Sequence, residues 1–135
     1  MRSGVYFCPT LSVVEKLFPV DTPETTRRAK AGLTSVGGRF ARELSARGVK
    51  LLVGQDYIDP NGTFTEMEFL ARAGVSPLEI LRGATLYPAQ FLGVADRFGT
   101  LDRGKTADIL ILDANPLERI ENVRSTRRVI CVLSR

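Results

Sequence analysis

Histidine is absent from this 135-residue sequence. That excludes a Ser-His or Cys-His nucleophilic system, and any imidazole-based zinc site, built from this chain alone. Cysteine is scarce. Cys8 and Cys131 stand far apart, with no CxxC pair and no framework spacing, so both are expected as free thiols. No apolar run approaches the roughly 18 residues that span a bilayer. The stretch between Arg2 and Pro9 is too short for the apolar region of a signal peptide. A membrane span is therefore not expected, and cytoplasmic residence is the default expectation, with a leader upstream left open.

What is present suits a soluble α/β chain. Hydrophobic residues make up 44% and charged residues 25%, enough for one ordinary domain or the tail of a larger one. The net charge of +4 is uneven: residues 1–54 hold nine basic against four acidic side chains. Arg27, Arg28, Lys30, Arg39, Arg42 and Arg47 spread along one predicted helix. A nucleic-acid patch is one reading, and the solvated face of an amphipathic helix is the other. The second is favoured, because no aromatic side chains interleave the charges as a single-strand binder needs. No nucleic acid is expected as a partner.

Gly4–Cys8 is an apolar β-type run that should stop at Pro9, which cannot donate to a ladder. A loop or short helix is expected around Val13–Leu17. Asp21-Thr22-Pro23-Glu24 carries a helix start with a capping-box spacing. Ala29, Leu33, Val36, Phe40 and Leu44 then form one apolar helical stripe. Gly48 suits the stop, and Gly37-Gly38 allows a kink or break in between. Val49–Gly54 reads as a second, nearly continuous apolar strand. Strand, helix and strand make a βαβ unit with parallel strands. Its carboxyl edge, where chemistry gathers in barrels and open sheets alike, would hold Cys8, Thr10, Gln55 and Asp56. Position alone leaves two readings for Asp56: a metal-ligating or basic carboxylate, or a loop-capping residue ahead of Asp59-Pro60. Cys8 and Thr10 either line a pocket or pack at the strand end, the second being favoured.

Downstream, Thr63 and Glu66 have capping-box spacing ahead of a helix over Glu66–Ala73, closed by Gly74. Ser76-Pro77-Leu78-Glu79 repeats the start signal, and Pro88 is expected to open a short helix through Leu92. Beyond Gly93 the pattern turns to short strands at 98–101 and 107–112 around the turn Asp102–Lys105, a helical turn within Asn115–Val123, and a last strand over Arg128–Leu133. The change of pattern puts a boundary near Asp96. Lys105 and Asp108 are read as turn and strand residues rather than catalytic ones.

The segment from Phe98 through Gly99, Leu101, Gly104, Lys105, Ala107 and Asp108 to Asp113, followed by Ala114-Asn115-Pro116-Leu117, resembles the C-terminal signature of the amidohydrolase superfamily. The nearest branch is the imidazolonepropionase-like and Xaa-Pro dipeptidase-like one. Ser76–Leu81, Ala84-Thr85 and Pro88–Gly93 fit that family's final barrel helices. Val49–Asp56 resembles the strand that ends in Gly-Thr-Asp, with Gln55 in place of the threonine. Gly4–Leu11 resembles the strand before it.

The resemblance implies the C-terminal portion of a (β/α)8 TIM-like barrel, its last two strands and helices over 1–96, plus part of a small β-sandwich over 97–135. It implies hydrolysis of amide, peptide or cyclic amide C–N bonds in a small-molecule or peptide substrate. The family's divalent metal, usually zinc, lowers the pKa of a bound water, and an aspartate handles its proton. Carried over by position, Asp56 is the catalytic and metal-site residue here. The histidine ligands and bridging lysine would lie on earlier strands. The chain is therefore expected to bind no metal tightly alone, and to be a partial gene product or the tail of a split one. Either it is a hydrolase part that works with an N-terminal half, or it is a non-catalytic remnant serving as an oligomerising or interaction module.

Overall fold

The computed structural model describes residues 4–15 and 23–130. Two short strands, β1 (Tyr6–Phe7) and β2 (Lys50–Leu51), are joined through the 24-residue helix α1 (Pro23–Ala46). They pair in parallel, Tyr6 opposite Lys50 and Phe7 opposite Leu51, so the predicted βαβ unit is present. The Leu52 N–H continues the pairing by donating to the Phe7 carbonyl at 2.8 Å. A 3-10 turn, Leu11–Glu15, leaves β1. Residues 16 and 17, and the Asp21-Thr22 part of the predicted helix start, lie outside the described residues. Gly48, with φ of 81°, ends the helical segment as predicted, since only glycine adopts that region without cost.

Helix α1 corrects two expectations. It runs unbroken through Gly37-Gly38. Most of the predicted stripe is not its buried face: Leu33, Val36 and Phe40 are 49%, 59% and 55% exposed, while Leu44 packs half-buried against the core and Ala41 is fully buried. The reason is close approach. A methyl on Gly38 would stand 2.8 Å from Cβ of Ala73, closer than carbon atoms tolerate, so helices meet there through residues without bulk. Phe40 keeps one contact, an edge-on packing against Phe7 with ring centroids 5.5 Å apart. Arg27 and Arg28 both pair with Glu24 in solvent, at 2.6 and 2.9 Å, in keeping with a solvated face.

Helix α2 (Gly62–Arg72) packs on α1, on the 11–15 turn and on a second 3-10 segment, Ile120–Ser125. Met67 and Leu70 of α2, Ile80 of α3 (Pro77–Ala84), Leu51, and Ile120 and Val123 of the 3-10 segment belong to the core. The α2 start differs from prediction: Asn61 precedes it, with no side-chain cap bond. The Thr63–Glu66 box does not form: Thr63 lies inside the helix, and the Glu66 carboxylate takes the N–H groups of Leu11 and Ser12. The α3 start is as predicted, with Ser76 Oγ accepting from the Glu79 N–H at 3.3 Å. Helix α4 (Leu86–Phe91) opens two residues before Pro88. The proline falls in the first turn, where a missing N–H costs nothing because no carbonyl waits for it.

The last expectation to change is the strand at 98–101, where no strand forms. Gly99 takes φ of 93°, which breaks an extended run, and the Thr106 N–H returns to the Arg97 carbonyl at 2.9 Å. The pairing partner of β3 (Ile109–Leu112) is instead β4 (Thr126–Ile130), antiparallel, with an irregularity between Ile111 and Leu112. The motif from Gly99 to Asp113 is therefore a turn feeding a strand, not a hairpin. Residues 131–133 of the predicted last strand, with Cys131, lie outside the described residues. Among the described residues no helix is long and apolar enough to cross a membrane.

Candidate active site

Parallel pairing sends the residues after β1 and β2 to one edge, and four predicted residues arrive there. Asp56 is exposed and borders an open depression lined by Gln55–Pro60. The loop below it is tightly organised. Asp59 accepts the Asn61 N–H on its carboxylate at 2.8 Å and the Gly62 N–H on its carbonyl at 3.0 Å. Gln55 donates its Nε2–H to the Asp59 carbonyl at 3.1 Å. Its amide lies where any side chain on Gly62 would project, which is why that position has none. Gln55 Oε1 is buried without a hydrogen-bond partner. Gln55 thus braces the loop.

Cys8 is exposed as a residue, but its sulfur lies 2.7 Å from where a Cβ on Gly54 would be. Burial of the sulfur raises the thiol pKa, and the charges of Glu66 and Asp56 raise it further, against a backbone hydrogen bond with Thr10 that lowers it. A thiol held protonated is a poor nucleophile. Thr10 has φ of 47°, a left-handed conformation that a β-branched residue adopts only under constraint.

The residue that sequence reasoning missed is Glu66. It is fully buried, and its carboxylate oxygens accept the Leu11 N–H at 2.9 Å and the Ser12 N–H at 2.6 Å. Burial raises its pKa, the two N–H donors of Ser12 and Leu11 pull it down, and the Asp56 charge adds to the rise. Sequence spacing offered one signal, a glutamate three after a threonine, and a capping box produces the same signal. Tyr57 was passed over as well. Its hydroxyl donates to the Ser12 carbonyl at 3.3 Å.

Lys105 and Asp108 lie in the segment that leads into β3. Lys105 Nζ donates to Thr100 Oγ1 at 2.5 Å and pairs with Asp102 at 3.3 Å. The Thr100 hydroxyl and Lys105 hold the Asp102 carboxyl below its ordinary range, and together they close the turn. Asp108 is exposed at the entry to β3.

The donor set is short for a metal. Among the described residues no three His, Cys, Asp or Glu side chains converge in a way that would hold an ion, and histidine is absent throughout. The described residues do not form a metal site by themselves.

Polar residues gathered at the carboxyl edge of parallel strands put this candidate site where α/β proteins commonly bind ligands. Residues 11–135 match the model of the amidohydrolase family, and the chain belongs to that family. It is 31% identical over 100 residues to the imidazolonepropionase of Thermoplasma acidophilum, covering 70% of this chain and 24% of that protein. It is 27% identical over 133 residues to the ochratoxinase of Aspergillus niger, covering 95% and 28%. A solved Xaa-Pro dipeptidase with methionine bound in its active site superposes with a TM-score of 0.75 at 26% identity, over 93% of this chain and 33% of that one. The chain thus spans about a quarter to a third of the length of the relatives it matches.

Proposed function

We propose that this chain supplies the last two strands of a (β/α)8 amidohydrolase barrel and the strand-end carboxylate, Asp56, of its active site. The reaction is hydrolysis of a C–N bond in a small-molecule or peptide amide. The observation that carries the reading is the place of Asp56: exposed at the carboxyl edge of a parallel strand pair, in a chain matched to the family over residues 11–135. A carboxylate so placed can ligate a cation or take a proton from water. Because the donor set here is incomplete, the metal, zinc by family resemblance, needs histidines from strands outside this sequence. On this reading residues up to 96 are barrel, and the β3–β4 pair belongs to a small sandwich over 97–135.

The test is co-expression with the histidine-bearing strands of a relative, followed by amine release from Xaa-Pro dipeptides and ring opening of cyclic amides. Metal-dependent hydrolysis that disappears in Asp56→Asn, with folding unchanged, supports the reading. Hydrolysis that survives the substitution refutes the role of Asp56. One observation favours the alternative of an association module: the half-exposed stripe Leu33, Val36 and Phe40. Self-association of the chain, with no hydrolysis after co-expression, would decide for it.

A further inference from the structure

Glu66 is the one fully buried carboxylate among the described residues. Its oxygens take two consecutive backbone N–H groups, those of Leu11 and Ser12, more than fifty residues away in sequence. The segment it holds is the one that leaves β1 at the site edge. Immediately before it, Thr10 is in the left-handed region at φ of 47°. Strain of this kind persists only where the surroundings impose it, and it concentrates at functional sites. The Ser12 carbonyl is taken from the other side by the Tyr57 hydroxyl at 3.3 Å, and Tyr57 follows Asp56 directly. One side chain from α2 and one from the loop after β2 therefore fix a three-residue turn near Asp56.

We propose that Glu66 is a positioning residue of the hydrolase site, clamping Leu11 and Ser12 so that the strained Thr10–Ser12 turn forms the wall beside Asp56. Glu66 acts through the turn and does not touch substrate. The proposal rests on the hydrolase reading above. A carboxylate is required because it offers acceptors on both oxygens. A glutamine of the same shape offers one, and turns an NH2 donor toward the other N–H.

The test has two parts with separate outcomes. In the full chain, amide hydrogen exchange is followed at Leu11 and Ser12, with Leu52, bonded to Phe7, and Val53, bonded to Gly83, as controls. Glu66→Gln is expected to speed exchange at Leu11 and Ser12 by about tenfold or more, since hydrogen bonds to charged groups exceed neutral ones, and to leave the controls unchanged. Tyr57→Phe, a milder change that keeps the buried carboxylate and removes the bond to the Ser12 carbonyl, is expected to make the turn open more often and so to raise exchange at Leu11 and Ser12 together by about threefold or more. Unchanged exchange at Leu11 and Ser12 in both variants overturns the clamp.

In the co-expressed hydrolase, Glu66→Gln is expected to lower kcat by about ten- to a hundredfold, the scale of a small misplacement of site groups, with KM held within about twofold. Faster exchange with unaltered kcat and KM overturns the positioning role, leaving Glu66 a structural tie. If the unaltered co-expressed protein hydrolyses nothing, the hydrolase reading and the positioning role fall together, and the exchange result still decides the clamp.

Discussion

Replacing Gly83 by alanine should destabilise this chain, although helix propensity predicts the opposite. Gly83 is buried within α3 where the helix crosses β2. A methyl there would stand 2.7 Å from the Leu51 carbonyl oxygen and 3.3 Å from Val53 Cγ2. The nearest of these atoms is main chain, and Leu51 is itself only 2% exposed, so neither strand nor helix can yield by a rotamer change. Contact also runs through a hydrogen bond, because the Val53 N–H donates to the Gly83 carbonyl at 2.9 Å. Alanine gains about 1 kcal/mol over glycine in a helix interior. Forcing a methyl into a packed crossing costs about 1–3 kcal/mol, and stretching the Val53 bond adds about 1 kcal/mol. The expected net loss is about 1–3 kcal/mol, read as a lower urea midpoint with an unchanged slope. A Gly83→Ala chain as stable as the parent, or more so, would show that α3 and β2 do not approach as described.

Leu70→Ala empties a site with no solvent exposure at the middle of the core and should cost about 2–5 kcal/mol in the same assay. Asp56→Asn, at an exposed loop position, should leave that midpoint within about 0.5 kcal/mol of the parent, while removing hydrolysis in the co-expression assay. Glu66 predicts a pH dependence. Its folded pKa is raised by burial above the ordinary 4.5, so between the two values the native state holds a proton that the unfolded chain has lost. Its contribution to stability is therefore fully present below the ordinary value and is lost as pH rises through the raised one. The stability of the parent minus that of Glu66→Gln should fall across this window. A flat or rising difference would contradict the burial.

The βαβ core and the α3 start were legible because each rests on local chemistry: continuous apolar strands, a capping serine, a proline in the first turn. What failed depended on partners. The stripe of Leu33, Val36 and Phe40 records a demand for burial but does not name what covers it, and the close contact with Ala73 is made through Gly38 instead. Residues 98–101 had strand composition, yet Gly99 bends the chain, and β3 finds its neighbour some twenty residues on in β4. Hydropathy along a strand says that it pairs, not with which segment.

Two of the carboxylates after β2 show the same limit at the site. Asp56 and Glu66 stand ten positions apart, and nothing in composition separates their chemistry. Their surroundings do. Asp56 is exposed at the strand edge, where a ligand can reach it. Glu66 is sealed in the core with its oxygens on Leu11 and Ser12, where desolvation would be prohibitive without those donors. A buried carboxylate satisfied by main-chain N–H groups is committed to holding backbone, and an exposed one is available for reaction. On the proposed reading, chemistry at Asp56 depends on geometry that Glu66 maintains, and a sequence reading that saw a helix cap at 66 missed the residue that ties Leu11 and Ser12 in place.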